Sequence, residues 1–302
     1  MKDNNQFDVI IIGGSYSGLS AAMALGRSLR QVLVIDSGTP CNRYTPHSHN
    51  FITQDGEQPA AISHKAQKQV AAYDTVRFHS GEVVAAVRNE VGFDVYVASG
   101  EQFSSKKILF ATGIKDIFPE IKGFAECWGK SVIHCPYCHG YEFRGKKTAI
   151  IATGEKAMHI ASLVNNLTDS LSINLSDGSE FDRGQLDTLK KHNINVIPKE
   201  VIEIKHRDGA VHAVVFNDGR EESFDAVYAA IPFTQQSDIP VVLGCEITES
   251  GLVKIDTFQK TTVSGVYACG DNSSPMRSVA FAVAAGNMAG AMLNHELTVE
   301  TF

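Results

Sequence analysis

Residues 7–12 are apolar apart from Asp8, and they lead into Gly13-Gly14-Ser15-Tyr16-Ser17-Gly18 and then an Ala- and Leu-rich stretch reaching Leu29. A short apolar run closed by glycines and followed by helical spacing predicts a buried strand, a tight turn and a helix. Residues 32–35 are again apolar and predict a second buried parallel strand, with Asp36 at its end. The distance from the glycines to Asp36 suits a ribose-binding acid in a dinucleotide fold. Gly13 and Gly18 supply the outer glycines of G-x-G-x-x-G, whereas Ser15 takes the middle place, where a side chain must share space with a pyrophosphate. Such a turn also serves tight helix–strand packing with no ligand, so later segments have to decide.

Two of them do. Residues 107–110 predict a strand closing in Ala111-Thr112-Gly113, and residues 265–268 predict another closing in Cys269-Gly270-Asp271, ahead of a small-residue helix over about 278–293. Between them lies a second strand–turn–helix–strand pattern: strand 147–151, turn Ala152-Thr153-Gly154-Glu155-Lys156, helix 157–167 and strand 171–175. Phe216-Asn217-Asp218-Gly219-Arg220 is a hairpin signal. The expected fold is α/β, with two dinucleotide-binding, Rossmann-like domains, the second inserted into the first. Residues 1–114 and 241–302 form the outer domain and 115–240 the insert.

Composition narrows the class. The chain has 302 residues, 43% hydrophobic and 20% charged, which excludes a disordered or collagenous polymer and leaves room for two domains. A formal charge of -7 offers no basic excess for nucleic acid or an anionic membrane, so small molecules or proteins are the expected partners. No apolar run approaches the roughly 18 residues of a membrane helix, and residues 1–6 do not open a secretory signal. A cytoplasmic location is expected. Six cysteines are too sparse for a disulfide scaffold, and Cys41, Cys127, Cys245 and Cys269 read as isolated, inert thiols.

Cys135 and Cys138 differ, standing in His134-Cys135-Pro136-Tyr137-Cys138-His139-Gly140-Tyr141-Glu142. C-x-x-C-H is also a haem-attachment pattern, which needs a distal ligand and normally an exported chain. A zinc site lacks the second C-x-x-C or H-x-x-x-H that completes a tetrahedral shell, so no metal is expected. Two buried thiols in a turn are a further reading. A redox dithiol suits the spacing best, because a helix N-terminus and a nearby imidazolium stabilise the reactive thiolate. His139 is then placed to hold or shuttle the proton, and Glu142 to orient His139 and raise its pKa. As an exposed turn histidine, His139 would do neither.

With these residues in hand, the chain resembles the thioredoxin reductase family of flavin-dependent disulfide oxidoreductases along nearly its whole length. The marks are the turn at residues 13–18, Ala111-Thr112-Gly113, the C-x-x-C opening the insert, Gly270-Asp271, and Arg277 ahead of the last helix. The resemblance implies FAD held by Gly13, Gly14, Ser15, Gly18, Asp36, Ala111, Thr112, Gly113, Gly270, Asp271, Arg277 and Ser278. Asp271 would sit on the ribityl chain, and the last helix would point at the flavin pyrimidine. It further implies that Cys138 is flavin-proximal, that Cys135 exchanges with substrate, and that the protein is a homodimer. Where reductases of the family commonly carry Asp after the second cysteine, this chain has His139. Cys-Pro-Tyr-Cys-His-Gly-Tyr-Glu, with Asn50-Phe51-Ile52-Thr53-Gln54-Asp55-Gly56, is more similar to a branch containing dithiol oxidases. His47 and His49 precede that second stretch and lie either beside the flavin or dithiol or merely on a surface loop.

The insert is a poor nicotinamide site. Ala152-x-Gly154-x-x-Ala157 has lost its first glycine, Glu155 stands where a pyrophosphate would approach, and residues 157–182 contain no Lys or Arg to meet a 2'-phosphate. Asp177, in Asn174-Leu175-Ser176-Asp177-Gly178, is placed to hold a ribose 2'-OH and favour NADH over NADPH. The expected function is FAD-dependent electron exchange with the Cys135/Cys138 pair, without tight NADPH use. The substrate is a small dithiol or a thioredoxin-like protein, and oxygen, ferredoxin, another flavoprotein or weakly bound NADH is the second redox partner. Alternatives are an NADPH-dependent thioredoxin reductase and a flavin-binding sensor without turnover.

Overall fold

The computed structural model describes residues 5–174 and 181–302. The chain forms two compact units, one of Met1–Arg43, Phe51–Lys115 and Thr234–Phe302, the other of Tyr44–Asn50 and Asp116–Phe233.

In the first unit, strands Val32–Asp36 and Gln102–Phe110 flank Gln6–Ile12 in parallel, and Val266–Ala268 lies parallel on the far side of Gln102–Phe110. Val76–Ser80 extends the sheet beyond Val32–Asp36, and the antiparallel Phe93–Val97 and Val83–Arg88 complete its other wing. The continuous apolar run is explained by burial on both faces. Val9 and Ile11 pack into a cluster with Leu19, Leu25 and Leu293, and Ile10 and Ile12 into another with Phe93, Val95 and Phe110. Helices Tyr16–Arg27 and Val279–Val299 cover the first of these faces. A Cβ on Gly286 would lie 2.0 Å from the Ser17 carbonyl oxygen, so the two helices touch backbone to backbone.

The second unit has the parallel sheet expected of a second dinucleotide fold, with Thr148–Ile151 between Leu171–Asn174 and Ala226–Ala229, and Asn195–Ile197 and Val132–Ile133 outside them. A three-stranded antiparallel sheet of Val201–Arg207, Ala210–Phe216 and Glu221–Ser223 carries the predicted hairpin, with Gly219 at φ +82.

Several boundaries move. The chain returns to the first unit at Thr234, ahead of the expected 241, because Gln235 Nε2 donates to the Gly251 and Asn272 carbonyls and Ile239 packs in the first unit's core. Residues 44–50, expected in the outer domain, belong to the second unit, where Tyr44 meets the Phe118 ring at 6.3 Å. The insert's helix starts three residues early, as Gly154–Val164, since Gly154 already lies in its first turn. The last helix runs on to Val299. Leu175 and Asp177 lie outside the described residues. No described helix is long and apolar enough to cross a membrane.

Candidate functional site

Because strands Gln6–Ile12, Gln102–Phe110 and Val266–Ala268 are parallel neighbours, their C-terminal ends present the turn at 13–18, Ala111-Thr112-Gly113 and Gly270-Asp271 along one sheet edge. Ligands of doubly wound sheets lie at such an edge. The backbone explains the residue types. Gly13 has φ +107, and a Cβ there would lie 2.2 Å from the Ala111 oxygen; a Cβ on Gly18 would lie 1.9 Å from the Gly13 oxygen. No other residue fits either place. The Gly14 N–H donates to Asp36 Oδ1 at 3.0 Å, which ties the turn to the second strand. Ser15 is the N-cap of Tyr16–Arg27, but its side chain makes no cap bond.

Asn272 joins the two later loops, its Nδ2 donating to the Phe110 carbonyl at 2.9 Å and to Thr112 Oγ1 at 3.3 Å. It is wholly buried and was not foreseen from sequence. Arg277 brings Nε to 3.8 Å from Asp271 Oδ2 and donates from Nη2 to Cys41 Sγ at 3.2 Å. Ser278 Oγ caps the last helix by accepting from the Phe281 N–H. The residues fit FAD: a turn that requires glycine at 13 and 18 ahead of a 12-residue helix, an acid on the neighbouring strand end, and open space where Gly113, at φ +69, lacks a Cβ. Among the described residues no group of three or more His, Cys, Asp or Glu could hold a metal ion.

The second unit holds the dithiol. Pro136–His139 is a single helical turn with Cys135 as N-cap and Pro136 at its start, where a missing N–H costs nothing. Cys135 and Cys138 are disulfide-bonded with their Cα atoms 5.3 Å apart, and Cys135 Sγ accepts the Cys138 N–H at 3.2 Å. Gly140 is needed after the turn, because a Cβ would lie 2.3 Å from the Pro136 oxygen and 2.5 Å from Leu167 Cδ1. Tyr137 and Tyr141 are exposed on either side, at 66% and 68%. His134 stacks on the Trp128 ring, 5.9 Å between centroids.

His139 is half-buried rather than exposed. Its ring meets that of His49 edge to face at 6.2 Å, and His49 Nε2 lies 3.7 Å from Glu142 Oε1. Glu142 does act on the His139 pKa in the expected upward direction, but the side chain its carboxylate stands against is that of His49. Burial first, and then the His49 imidazole, hold the His139 pKa below the usual histidine range, with Glu142 pulling weakly the other way. Of the two histidines before Asn50, His49 joins this cluster while His47 is exposed.

In the insert's fingerprint turn Ala152 is buried, Gly154 has φ +54 and Glu155 stands in the first helical turn. Gln185 Nε2 donates to Glu155 Oε1 at 2.7 Å, while Gln185 also forms a reciprocal capping box with Asp182. A fixed carboxylate thus already complements this helix N-terminus.

The model of the pyridine nucleotide-disulphide oxidoreductase family matches residues 7–289. Thioredoxin reductase tcpT of Claviceps purpurea is 33% identical, covering 99% of this chain and 97% of that protein. Thioredoxin reductase sirT of Leptosphaeria maculans is 31% identical, covering 96% and 94%. Among solved structures, an oxidoreductase from Agrobacterium tumefaciens superposes with a TM-score of 0.92 at 35% identity, over 97% of this chain and 99% of that one. The chain therefore belongs to the pyridine nucleotide-disulphide oxidoreductase family, as a thioredoxin reductase-like, flavin-dependent disulfide oxidoreductase.

Proposed function

We propose that this chain is a dithiol oxidase: it closes a disulfide in a dithiol substrate at Cys135/Cys138 and delivers the electron pair through FAD to dioxygen. The observation that carries this direction is Glu155, pinned by Gln185 at the helix N-terminus where the pyrophosphate of a second dinucleotide would lie. Like charges repel there, so NADPH is a poor electron source. FAD is held by Gly13, Gly14, Ser15, Gly18, Asp36, Ala111, Thr112, Gly113, Gly270, Asp271, Arg277 and Ser278. A homodimer in the cytoplasm belongs to the same reading, on the family resemblance.

A substrate thiolate attacks Cys135 Sγ; the Cys135–Cys138 bond breaks and its electron pair leaves on Cys138. The second substrate sulfur then attacks the first, which closes the product disulfide and releases Cys135 as a thiolate. The Cys138 N–H, which already bonds to Cys135 Sγ, stabilises that leaving group. His139, held neutral by its surroundings, takes a proton as the second substrate thiol ionises. FAD, when bound by the residues named above, would supply two-electron acceptor chemistry, and the overall balance is R(SH)2 + O2 → RS2 + H2O2.

The test is anaerobic mixing of the oxidised protein with NADPH, NADH and dithiothreitol in turn. Bleaching of the flavin band by dithiothreitol alone, followed by reoxidation and peroxide on admitting air, is the expected result. Fast bleaching by NADPH makes the chain an NADPH-dependent thioredoxin reductase instead, and no bleaching by any reductant makes it a sensor.

A further inference from the structure

Each turnover of the proposed chemistry frees protons beside a half-buried imidazole. His139 holds one poorly: burial first, and then the His49 imidazole edge-on to it, lower its pKa. Two adjoining imidazoles share a single positive charge far more readily than they carry two. A carboxylate at the outer end draws that charge outward.

The structure supplies that arrangement. His139 follows Cys138 in the one-turn helix and stands edge to face with His49, ring centroids 6.2 Å apart at 88°. His49 Nε2 faces Glu142 Oε1 at 3.7 Å, an electrostatic contact rather than a hydrogen bond. Exposure rises outward along the array, from 21% for the His49 side chain to 36% for that of Glu142. All three residues belong to one compact unit, although His49 arrives from the distant segment Tyr44–Asn50.

We propose that His49 and Glu142 form the outer half of a proton path whose inner member is His139, as positioning residues that return its imidazole to the neutral form after each turnover. The proposal rests on the dithiol reading above. In the steps it implies, the thiol S–H bond breaks as an N–H bond forms on His139. That proton passes to His49, whose cation is balanced by the Glu142 carboxylate, and leaves to water. Each step breaks one bond to hydrogen and forms another with no change of oxidation state, so the path needs no further reactant.

The charged groups that act on His139 are His49 from the loop and Glu142 from its own segment, Cys135 and Cys138 being joined in the disulfide, and Tyr228 from strand Ala226–Ala229 faces the field of Glu142. The Tyr228 phenol is pushed up by burial and then by Glu142, and stays neutral wherever histidines titrate. His134 turns its ring onto Trp128.

The experiment is stopped-flow, anaerobic reduction of the FAD-loaded protein by dithiothreitol, followed against pH through the histidine range, for wild type, His49→Asn, His49→Gln and Glu142→Gln. Loss of His49 removes the like charge that holds His139 down, so the acid limb of the rate profile moves to higher pH. Glu142→Gln removes the opposing carboxylate and moves the limb to lower pH. His139→Asn loses about a hundredfold or more in rate, with no limb left to move. Flavin content and circular dichroism of the variants stay at the wild-type level. Limbs shifted in opposite directions, with a plateau rate that falls in the His49 variants and is restored by added imidazole, support the path. A plateau that is unchanged in the His49 variants, or that is lost without recovery in imidazole, overturns the path while leaving the dithiol reading intact. A wild-type protein that dithiothreitol cannot reduce at any pH overturns both.

Discussion

Lys107 illustrates what a single residue carries beyond its place in a motif. On the sequence it merely opens the strand before Ala111. In the fold its side chain is 7% exposed and pairs with Glu296 at 2.7 Å and with Glu300, while Glu296 also meets Lys260 and accepts from the Tyr267 hydroxyl at 2.7 Å. Burial alone would raise the Glu296 pKa, but the bonds from Lys107, Lys260 and Tyr267 outweigh it and hold the carboxyl at about 2. Because the folded value is depressed from 4.5, its contribution to stability is present above about pH 4.5 and is lost as pH falls toward about 2. Glu296→Gln is expected to destabilise the neutral protein by about 1–3 kcal/mol, as Lys107 retains Glu300. It should also flatten the loss of stability below about pH 4.5. Urea unfolding against pH measures both, and an unchanged acid slope would refute this account of Glu296. The contrast with Asp36 or the cysteine pair shows why some residues were legible. Their partners lie a short, fixed distance along the chain, whereas Lys107, Asn272 and His49 acquire theirs only when remote segments pack.

At the level of elements, short apolar runs identified the parallel strands read at 7–12, 32–35, 107–110, 147–151, 171–175 and 265–268, because burial on both faces leaves that signature. Val83–Arg88 and Phe93–Val97, where buried and more exposed positions mix, were not read from it. The pattern misplaced element ends, since a helix start such as Gly154 depends on backbone angles rather than on side-chain pattern. The small residues of the last helix carried more information than periodicity did. Ser20 Oγ donates to the Val283 carbonyl at 2.7 Å, and Cβ atoms on Gly286 and Gly290 would lie 2.0 Å and 2.7 Å from the Ser17 and Ala21 oxygens. Helix Val279–Val299 therefore presses on helix Tyr16–Arg27 at the residue just before Gly18. Gly286→Ala must push these backbones apart at a cost of about 1–3 kcal/mol. Displacing Ser17 also disturbs the turn at 13–18, so lower flavin occupancy should accompany the lower stability. The ratio of visible to ultraviolet absorbance of the purified variant reads the first, and thermal unfolding the second. A variant with lost stability and full flavin would detach the helix contact from the cofactor turn.

Across the whole molecule, the proposed labour divides along the chain's own division. Every candidate FAD residue lies in Met1–Arg43, Phe51–Lys115 or Thr234–Phe302, and Cys135, Cys138, His139, His49 and Glu142 lie in Tyr44–Asn50 or Asp116–Phe233. The interruption was legible because two halves of one fingerprint set bracket a second one. That residues 44–50 join the other unit was not, because Tyr44 and His49 owe their placement to Phe118 and Glu142, far along the chain. Since each unit has its own sheet and core, a lesion in one should spare the property of the other. Cys138→Ser should bind FAD with wild-type affinity, judged by the quenching of flavin fluorescence, yet show no flavin reduction by dithiothreitol. Asp271→Ala should lose flavin while a non-reduced proteolytic digest still yields the Cys135–Cys138 disulfide by mass. Loss of FAD from Cys138→Ser would instead make the cysteine pair part of the cofactor's scaffold, and an open pair in Asp271→Ala would mean that the disulfide is maintained only by electron transfer to bound flavin.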